Sequence, residues 1–390
     1  MKNYQQRQEA IARHLLGEKI TSITKSFGMS RKWFYKWLNR YNSNPNGDWY
    51  FDESTAPHKV SNPNNDETEA QIIVIRKELM QEKMAQTGAI SIQYEFERRG
   101  IKNLPNVWTI NRAIKKNHLN KTPSVHKKVV DYPELFFHTH QMDLIGPRYL
   151  KGDGKYYAVN IIDITSHSCF SRAVRTKASA GIVATLAEFW KIHGLPDALQ
   201  MDNELAFRGS NRHPRSFGSV VRFALSQGVA VIFIPVAEPW RNGIIEKFND
   251  TFQKRFSNAY TFENLEDLNE KLKIFIEFHN TKHRYSSQLH KTPDQVKITQ
   301  LKPLLYKGTL HLPTLKKGII IPLYQGSVYF VRYIRSDLKL KLPNEVFTVN
   351  QNLKYSYVVA EINIEIQSLI IWQNRETIQV FPYELPAIEW

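Results

Sequence analysis

Apolar residues recur at helical spacing through residues 1–42. Three short helices are predicted in this stretch, over 5–16, 20–27 and 31–41. Gly28 suits the tight left-handed turn after the second helix, and Ser30 suits the N-cap of the third. Short helices followed by a glycine turn and a capped third helix are typical of a helix-turn-helix domain, whose last helix enters the major groove of DNA.

A second helical block is predicted over residues 67–118. Its helices are predicted over 67–83, 91–99 and 106–117, and Gly100 ends the second of them. This order indicates a second helix-turn-helix domain. Stretches rich in Asn, Pro and Ser or in mixed polar residues, over 43–66 and 119–135, are predicted to be linkers.

The pattern changes after residue 136. Residues 136–290 alternate apolar strand-like runs with helical segments, which predicts a mixed sheet flanked by helices. Residues 305–390 contain only short strand-like runs separated by turn residues, and we expect them to form a small β-barrel. These runs include Gly318–Ile321, Val328–Val331 and Tyr357–Ala360.

Composition narrows the class of protein. The 390 residues are 42% hydrophobic, so a substantial core can form, and Cys169 is the only cysteine, which excludes internal disulfides and multi-cysteine zinc modules. No apolar run approaches the ~20 residues of a membrane helix, and residues 1–6 lack the apolar core of a secretion signal. We expect a cytoplasmic, nucleoid-associated protein without a membrane partner.

The positive charge of the chain indicates a polyanion as its binding partner. The formal net charge is +16, and residues 1–42 carry nine Lys and Arg against two acidic residues. A basic N-terminal region suggests that double-stranded DNA is met there first, although a solvated helical bundle is the plainer alternative. The candidate DNA contacts are Arg31, Lys32, Tyr35, Lys36, Arg40, Arg112, Lys115, Lys116, Lys127, Lys128 and Lys254.

The candidate chemistry consists of three carboxylates in residues 136–290. Asp143 lies at the end of the first predicted strand, Asp202 ends a short later strand, and Glu246 lies one turn into a helix. Neighbouring strands would bring the two aspartates together, and a helix over the strand ends could direct Glu246 between them. Such carboxylates repel one another unless divalent cations are present, and oxygen ligands suit two Mg²⁺ or Mn²⁺ ions.

The segments around these residues resemble the DDE transposase and retroviral integrase superfamily, especially bacterial insertion-sequence transposases. The similar features are the apolar strand that ends in Asp143, the Gly194-x-Pro196 to Asp202-Asn203 stretch, and the Pro239-x-x-Asn242-Gly243-x-x-Glu246 stretch that opens a helix. The resemblance implies a ribonuclease H-like core over 136–290, with Asp143, Asp202 and Glu246 as catalytic metal ligands. It also implies Mg²⁺-dependent cleavage at the ends of a mobile element and transfer of the 3′-hydroxyls into target DNA.

The spacing of the third carboxylate departs from the family. Asp202 and Glu238 enclose 35 residues, which is near the family's usual spacing, whereas Asp202 and Glu246 enclose 43. We prefer Glu246 because it lies on a helix with an apolar stripe, while Glu238 is predicted on a loop. The polar stretch 208–215 is predicted to be a loop insertion. Relatives often carry a lysine two turns after the glutamate, where this chain has Gln253, with Lys254 beside it.

Other polar residues receive plainer interpretations. Asp163 is expected to be structural, and His138 and His140 are expected to be polar edge residues and not metal ligands. Glu204 is expected to be solvated. The basic residues of the C-terminal block contact DNA or lie on a solvated barrel face, and the sequence favours neither; they are Lys316, Lys317, Arg332, Arg335, Lys339 and Lys341.

The sequence therefore predicts a DNA transposase that binds terminal repeats, nicks the 3′ ends and joins them to target DNA. Cutting and joining two ends implies a multimer of this chain on DNA, and the need for an accessory ATPase is left open. Two alternatives stay open: a non-catalytic DNA-binding regulator derived from a transposase, and a metal-dependent nuclease that does not join strands.

Overall fold

The computed structural model describes residues 3–52, 66–119, 132–133, 135, 138–209, 215–299 and 323–386. The chain divides into two compact units, residues 1–65 and 66–390. Lys127, Lys128, Lys316, Lys317 and the run Gly318–Ile321 lie outside the described residues. In the part of the chain that is described, none of the helices has both the length and the apolar character needed to cross a membrane.

The first unit contains three helices, α1 Asn3–Leu15, α2 Ile20–Phe27 and α3 Arg31–Ser43. Gly28 has φ 66°, in the left-handed region, and Ser30 caps α3 by accepting a hydrogen bond from the backbone N–H of Trp33 at 3.1 Å. Both predicted helix-end signals are therefore present. The core of the unit is formed by Ala10, Ile11, Ile23, Phe34 and Trp37.

The second unit begins with another trio of helices, α4 Asp66–Gln81, α5 Ala89–Arg98 and α6 Val107–Lys116. Asn106 caps α6 by accepting a hydrogen bond from the N–H of Thr109 at 2.8 Å. The apolar faces of these helices share a core that includes Ile92 and Ile110. Gln86 ties the trio to the rest of the unit, since its Oε1 accepts a hydrogen bond from the N–H of Arg284 at 2.9 Å.

A nine-stranded mixed sheet forms the centre of the second unit. The strands of the second unit, including two outside this sheet, are β1 Thr139–Leu150, β2 Gly154–Asp163, β3 Cys169–Val174, β4 Ala198–Met201, β5 Ala230–Phe233, β6 Ser327–Tyr333, β7 Lys339–Leu342, β8 Glu345–Thr348, β9 Tyr357–Asn363, β10 Ser368–Gln373 and β11 Glu376–Pro382. The order across the sheet is β11-β10-β9-β6-β5-β4-β1-β2-β3, and β7 and β8 form a separate hairpin. Strands β1, β4, β5 and β6 are parallel neighbours, while β2 and β3 are antiparallel.

Helices cover both faces of this sheet. They are α7 Ser179–His193, α8 Leu205–Arg208, α9 Ser219–Ser226, α10 Gly243–Phe252, α11 Leu265–Lys282 and α12 Pro293–Thr299. Along β2, Val159 and Ile161 belong to the core under α7 and α9, whereas Ala158 and Ile162 belong to the core under α10 and α11. The apolar residues of β2 are buried on both faces for this reason.

The predicted C-terminal barrel is not confirmed. Strand β6 pairs in parallel with β5, with Val328 opposite Val231, and β9, β10 and β11 extend the same sheet in antiparallel order. Val328 and Phe330 pack into the core beneath the central strands. Short strands with local turns look alike in a barrel and in a sheet extension, because a strand's own sequence does not specify its non-local partner.

Candidate active site

The register of two parallel strands brings Asp143 and Asp202 together. Gln141 of β1 lies opposite Gln200 of β4, and continuing that register by two residues sets Asp143 beside Asp202. Strand β4 ends at Met201, so Asp202 is the first residue beyond it, while β1 continues past Asp143 along β2. Both aspartates are half-buried at this point of the sheet.

Helix α10 brings Glu246 to the same place. The helix follows a 3-10 turn over Pro239–Asn242 and packs on the sheet through the buried stripe of Ile245, Phe248 and Phe252. Its first turn is attached to β1, because the N–H of Ile245 donates to Oε1 of Gln141 at 3.0 Å. Glu246 is the next residue, and its side chain is exposed.

A chain of buried polar groups fixes the orientation of Asp143. Nδ2 of Asn249, one turn after Glu246, donates to Oδ2 of Asp143 at 2.5 Å. Oδ1 of Asn249 accepts from Nδ2 of Asn160 at 2.8 Å, and the hydroxyl of Ser171 donates to Oδ1 of Asn160 at 2.5 Å. All three supporting residues are buried. In this series of hydrogen bonds, the neighbours of Asn249 and Asn160 determine which atom of each side-chain amide donates and which accepts. The series therefore holds Asp143 in one position.

The three carboxylates influence one another electrostatically. Burial raises the pKa of Asp143, although the hydrogen bond from Asn249 opposes that effect. Burial also raises the pKa of Asp202, with the negative charges of Asp143 and Glu204 as further causes. Burial and the charges of Asp143 and Asp202 raise the pKa of Glu246, whose exposure lets solvent screen part of the effect. The three side chains therefore form one electrostatically coupled cluster.

This cluster has the donor set that a hard divalent cation requires. The negative charges of Asp143 and Asp202 act on one another and on Glu246, and the raised pKa values mean that a nearby cation would stabilise the charged forms. Among the described residues, the three carboxylates do not form a group whose ligand atoms are gathered as closely as those of His138, His140 and Asp163. The positive charge of Lys177 also acts on Asp202, but its ammonium group is ion-paired with Glu204. Glu204 is thus half-buried and paired, contrary to the expectation that it would be solvated.

Glu238 has a different environment from Glu246. Its carboxylate forms an ion pair with Nε of Arg241 at 3.1 Å and accepts a hydrogen bond from the hydroxyl of Tyr357 at 2.8 Å. Arg241 also donates to that hydroxyl at 3.1 Å. These contacts direct Glu238 towards the C-terminal strands, which supports the preference for Glu246 as the third carboxylate.

The loop after Asp202 is held by a residue whose role the sequence did not indicate. Arg332 of β6 was expected to lie on a basic surface, but it is buried, and its guanidinium donates to Oδ1 of Asn203 at 2.7 Å. The same group donates to the carbonyl of Ile234, just beyond β5, at 3.0 Å. Burial lowers the pKa of Arg332 to about 10, so the group stays charged at neutral pH.

His138, His140 and Asp163 form a second cluster, in which one ligand atom of each lies within 4.8 Å of the others. Nε2 of His138 is 3.4 Å from Oδ1 of Asp163. The indole N–H of Trp190 donates to Nδ1 of His140 at 3.1 Å, and burial lowers the pKa of His140 to about 3.

The contact with Trp190 decides what this second cluster can bind. A neutral imidazole has one N–H, and because the indole can only donate, the proton of His140 must be on Nε2. A protonated Nε2 cannot ligate a metal, and a ligating histidine normally donates its other N–H to an acceptor, which Trp190 is not. The geometry therefore favours a structural role for this cluster. The prediction that His140 is a polar edge residue was wrong, because His140 is buried in β1, between β4 and β2.

The predicted DNA-contacting residues differ in whether their side chains are exposed or have partners within the protein. Arg31, Lys32, Tyr35 and Lys36 are exposed on α3, and Arg112 and Lys115 are exposed on α6. The remaining described candidates have internal partners. Arg40 donates to the carbonyl of Phe51 at 3.0 Å, Lys116 pairs with Glu69 at 2.9 Å, and Lys254 pairs with Asp250 at 2.6 Å. Trp108 is an exposed aromatic residue on α6 that the sequence did not single out, and Arg112 lies over its ring.

Two parts of the chain match known protein families. Residues 227–293 match the integrase core domain, and residues 1–47 match the homeodomain-like domain. The first match contains Glu246, whereas Asp143 and Asp202 precede it. A comparison with curated proteins gives no match.

Solved integrase structures show low similarity to the chain. The catalytic core domain of HTLV-2 integrase in complex with magnesium (dimeric form) is 18% identical, with 42% of this chain and 97% of that chain covered and a TM-score of 0.31. The simian T-cell lymphotropic virus intasome in complex with the PP2A regulatory subunit B56 gamma is 15% identical, with 75% and 93% covered and a TM-score of 0.35. The catalytic core domain of BIV integrase is 13% identical, with 41% and 93% covered and a TM-score of 0.31.

Proposed function

We propose, from the premise that this chain belongs to the DDE transposase and integrase superfamily, that it is a DNA transposase. In this proposal it nicks the 3′ ends of a mobile element and joins them to target DNA. The observation that supports the proposal most directly is the convergence of Asp143, Asp202 and Glu246 at one edge of the sheet.

The proposed roles follow from the contacts of each carboxylate. Asp143, held by Asn249, and Asp202, fixed at the end of β4, would hold divalent cations at the sheet edge. Glu246 approaches from α10, and its exposure leaves room for a DNA phosphate beside it. Two bound Mg²⁺ or Mn²⁺ ions would supply activation of the attacking oxygen and stabilisation of the leaving oxygen at a phosphodiester.

The proposed DNA contacts begin on α3. Arg31, Lys32, Tyr35 and Lys36 occupy its exposed side, and Trp37 and Phe34 secure the opposite side in the core. This arrangement suits insertion of α3 into the major groove, where basic side chains meet phosphates and base edges. We propose that two or more copies of the chain act together on DNA, since two element ends must be joined in concert.

The test uses labelled duplexes from the DNA on both sides of the coding sequence, incubated with the full chain and Mg²⁺ in the absence of ATP. We expect nicked 3′ ends and joined products from the wild-type chain. Asp202→Asn and Glu246→Gln should abolish both products while DNA binding is retained. Glu238→Gln is the matched control, and it should retain most of the cleavage.

The outcomes separate the alternatives. Nicking without joined product would support the nuclease, and end binding without Mg²⁺-dependent products would support the regulator. Joined product that forms only after a host ATPase is added would show that an accessory partner is required. If Glu238→Gln were inactive and Glu246→Gln active, the assignment of the third carboxylate would be wrong.

A further inference from the structure

The C-terminal strands touch both loops that carry the candidate catalytic carboxylates. Arg332 lies on β6 and Tyr357 on β9, and these two strands are paired, with Arg332 opposite Val358 and Tyr333 opposite Tyr357. Their backbone positions are therefore adjacent in the register, and because side chains alternate between the faces of a strand, the two side chains leave the sheet on opposite faces. Each reaches a different loop.

Arg332 connects the ends of β4 and β5. Its guanidinium donates to Oδ1 of Asn203, directly after Asp202, and to the carbonyl of Ile234. Nδ2 of Asn203 donates to the same carbonyl at 2.7 Å, so Arg332, Asn203 and Ile234 each form a hydrogen bond with the other two. Nε of Arg332 is fully used as well, because it donates to the carbonyl of Lys341 at 3.0 Å. The planar, multi-donor guanidinium fixes the geometry of the loop more firmly than a single ammonium could.

Tyr357 holds the segment that leads into α10. Its hydroxyl donates to Glu238 and accepts from Arg241, and the ring lies 5.0 Å from the Arg241 guanidinium. Gln200 holds that segment from the other side, because its Nε2 donates to the backbone carbonyl of Arg241 at 3.2 Å and to Oδ1 of Asn242 at 2.9 Å. Helix α10 begins at the next residue and carries Glu246.

We infer that the C-terminal strands are a positioning element of the catalytic centre, and that Arg332 and Tyr357 set the placement of Asp202 and Glu246 respectively. This inference rests on the proposed function, since it assigns a purpose to carboxylates that the proposal makes metal ligands. Neither Arg332 nor Tyr357 contacts the carboxylates of Asp202 and Glu246 directly. Their effect is exerted through Asn203 and through the Glu238–Arg241 pair.

The experiment compares Arg332→Lys, Tyr357→Phe and the control Trp372→Phe in the full chain. Arg332→Lys keeps the positive charge but loses the planar set of N–H donors of the guanidinium. Tyr357→Phe loses only a hydroxyl. Trp372→Phe also removes one donor from a carboxylate, because the indole donates to Oε2 of Glu361 at 2.7 Å in the same C-terminal strands. The control therefore matches the chemistry of the loss without touching either loop.

Two measurements are made on each variant. Hydrogen exchange should rise over 202–209 in Arg332→Lys and over 236–245 in Tyr357→Phe, and should stay at the wild-type level over both segments in Trp372→Phe. The Mn²⁺ dissociation constant, measured by calorimetry, should rise about tenfold or more in the first two variants, as is usual when residues supporting metal ligands are lost. Thermal unfolding identifies any variant that fails to fold, and Tyr357→Phe then tests the inference by itself.

The outcomes distinguish this inference from the proposed function. Wild-type Mn²⁺ binding that disappears in Asp202→Asn, together with unchanged affinity in Arg332→Lys and Tyr357→Phe, would overturn the inference and leave the proposed function standing. Equal weakening in Trp372→Phe would also overturn it, because the effect would then be general loss of stability. Absence of Asp202-dependent Mn²⁺ binding in the wild-type chain would overturn the proposed function and the inference with it.

Discussion

Replacing Asn249 with alanine tests how the buried polar chain supports Asp143. The substitution removes a hydrogen bond to a carboxylate and a hydrogen bond from Asn160. A charge-assisted bond contributes about 1.5–3 kcal/mol and a neutral one about 0.5–1.5 kcal/mol, so we expect a loss of about 3 kcal/mol in the free energy of unfolding. For a unit of this size the loss corresponds to a fall in Tm of roughly 5–10 °C.

The cost of Asn249→Ala should depend on pH. The amide of Asn249 stabilises the charged form of Asp143, and burial already raises the pKa of Asp143 above its ordinary value. The substitution raises that pKa further, so the variant loses most relative to the wild type when Asp143 is charged. The difference in unfolding free energy should therefore grow as the pH rises through the folded-state pKa, and it should be larger at neutral pH than at an acid pH near the ordinary pKa of an aspartate.

The assay is thermal unfolding of the metal-free chain at both pH values, with Asn258→Ala as the control. Asn258 is also an asparagine that accepts one hydrogen bond, from Arg148 at 3.1 Å, but that contact is exposed. Its loss should cost less than about 0.5 kcal/mol. If Asn249→Ala cost no more than Asn258→Ala, or if its cost were independent of pH, the argument that Asn249 holds a charged Asp143 would be refuted.

Three further predictions concern other parts of the molecule. Asp202→Asn should raise the Tm of the metal-free chain at neutral pH, because burial and the neighbouring negative charges raise the pKa of Asp202 and make its charged form destabilising; calorimetry showing a lower Tm would contradict this. Lys32→Ala and Lys36→Ala should each weaken DNA binding for every sequence and reduce the salt slope by about 1, and an unchanged slope would remove α3 from the interface. Trp190→Phe should increase Zn²⁺ affinity by freeing Nδ1 of His140 to carry the proton; tight wild-type Zn²⁺ binding that is lost in His140→Ala would show the tautomer argument to be wrong.

Local signals in the sequence were sufficient for much of the fold. Helix α2 has the predicted bounds, 20–27, because Gly28 ends it through backbone geometry that few other residues adopt. Ser30 marks the start of α3, as its side chain, suited to an N-cap, predicted. These features depend on the residues of the segment itself, so a single sequence contains the information.

The partners of the C-terminal strands could not be predicted in this way. The pairing of Val231 with Val328 joins residues far apart along the chain, and no local signal selects it over closure into a barrel. The run from Val328 to Val331 did contain one clue, because its continuous apolar character suits a strand covered on both faces. That property is typical of interior strands in a sheet flanked by helices.

In the candidate site, too, some features follow from local sequence signals and others depend on non-local contacts. The position of Asp202 just after a strand and that of Glu246 on a helix were predictable from periodicity, but the prediction that Asp143 ends its strand was wrong, because β1 continues past it to Leu150. The residues that support these carboxylates were not predictable, because Asn160 and Arg332 become site residues only through non-local contacts. A lone arginine in a basic segment suggests a surface residue, and only the burial of Arg332 reveals its structural role.

The pairing of β5 with β6 has a consequence for synthesis of the chain. Val328 is made 97 residues after Val231, its partner in the sheet. At about 5–20 residues per second, a ribosome needs roughly 5–20 s to produce that partner. During this interval the nascent chain presents an open parallel edge, which is a template for aggregation. We therefore expect the second unit to need chaperones during translation and to acquire protease resistance late.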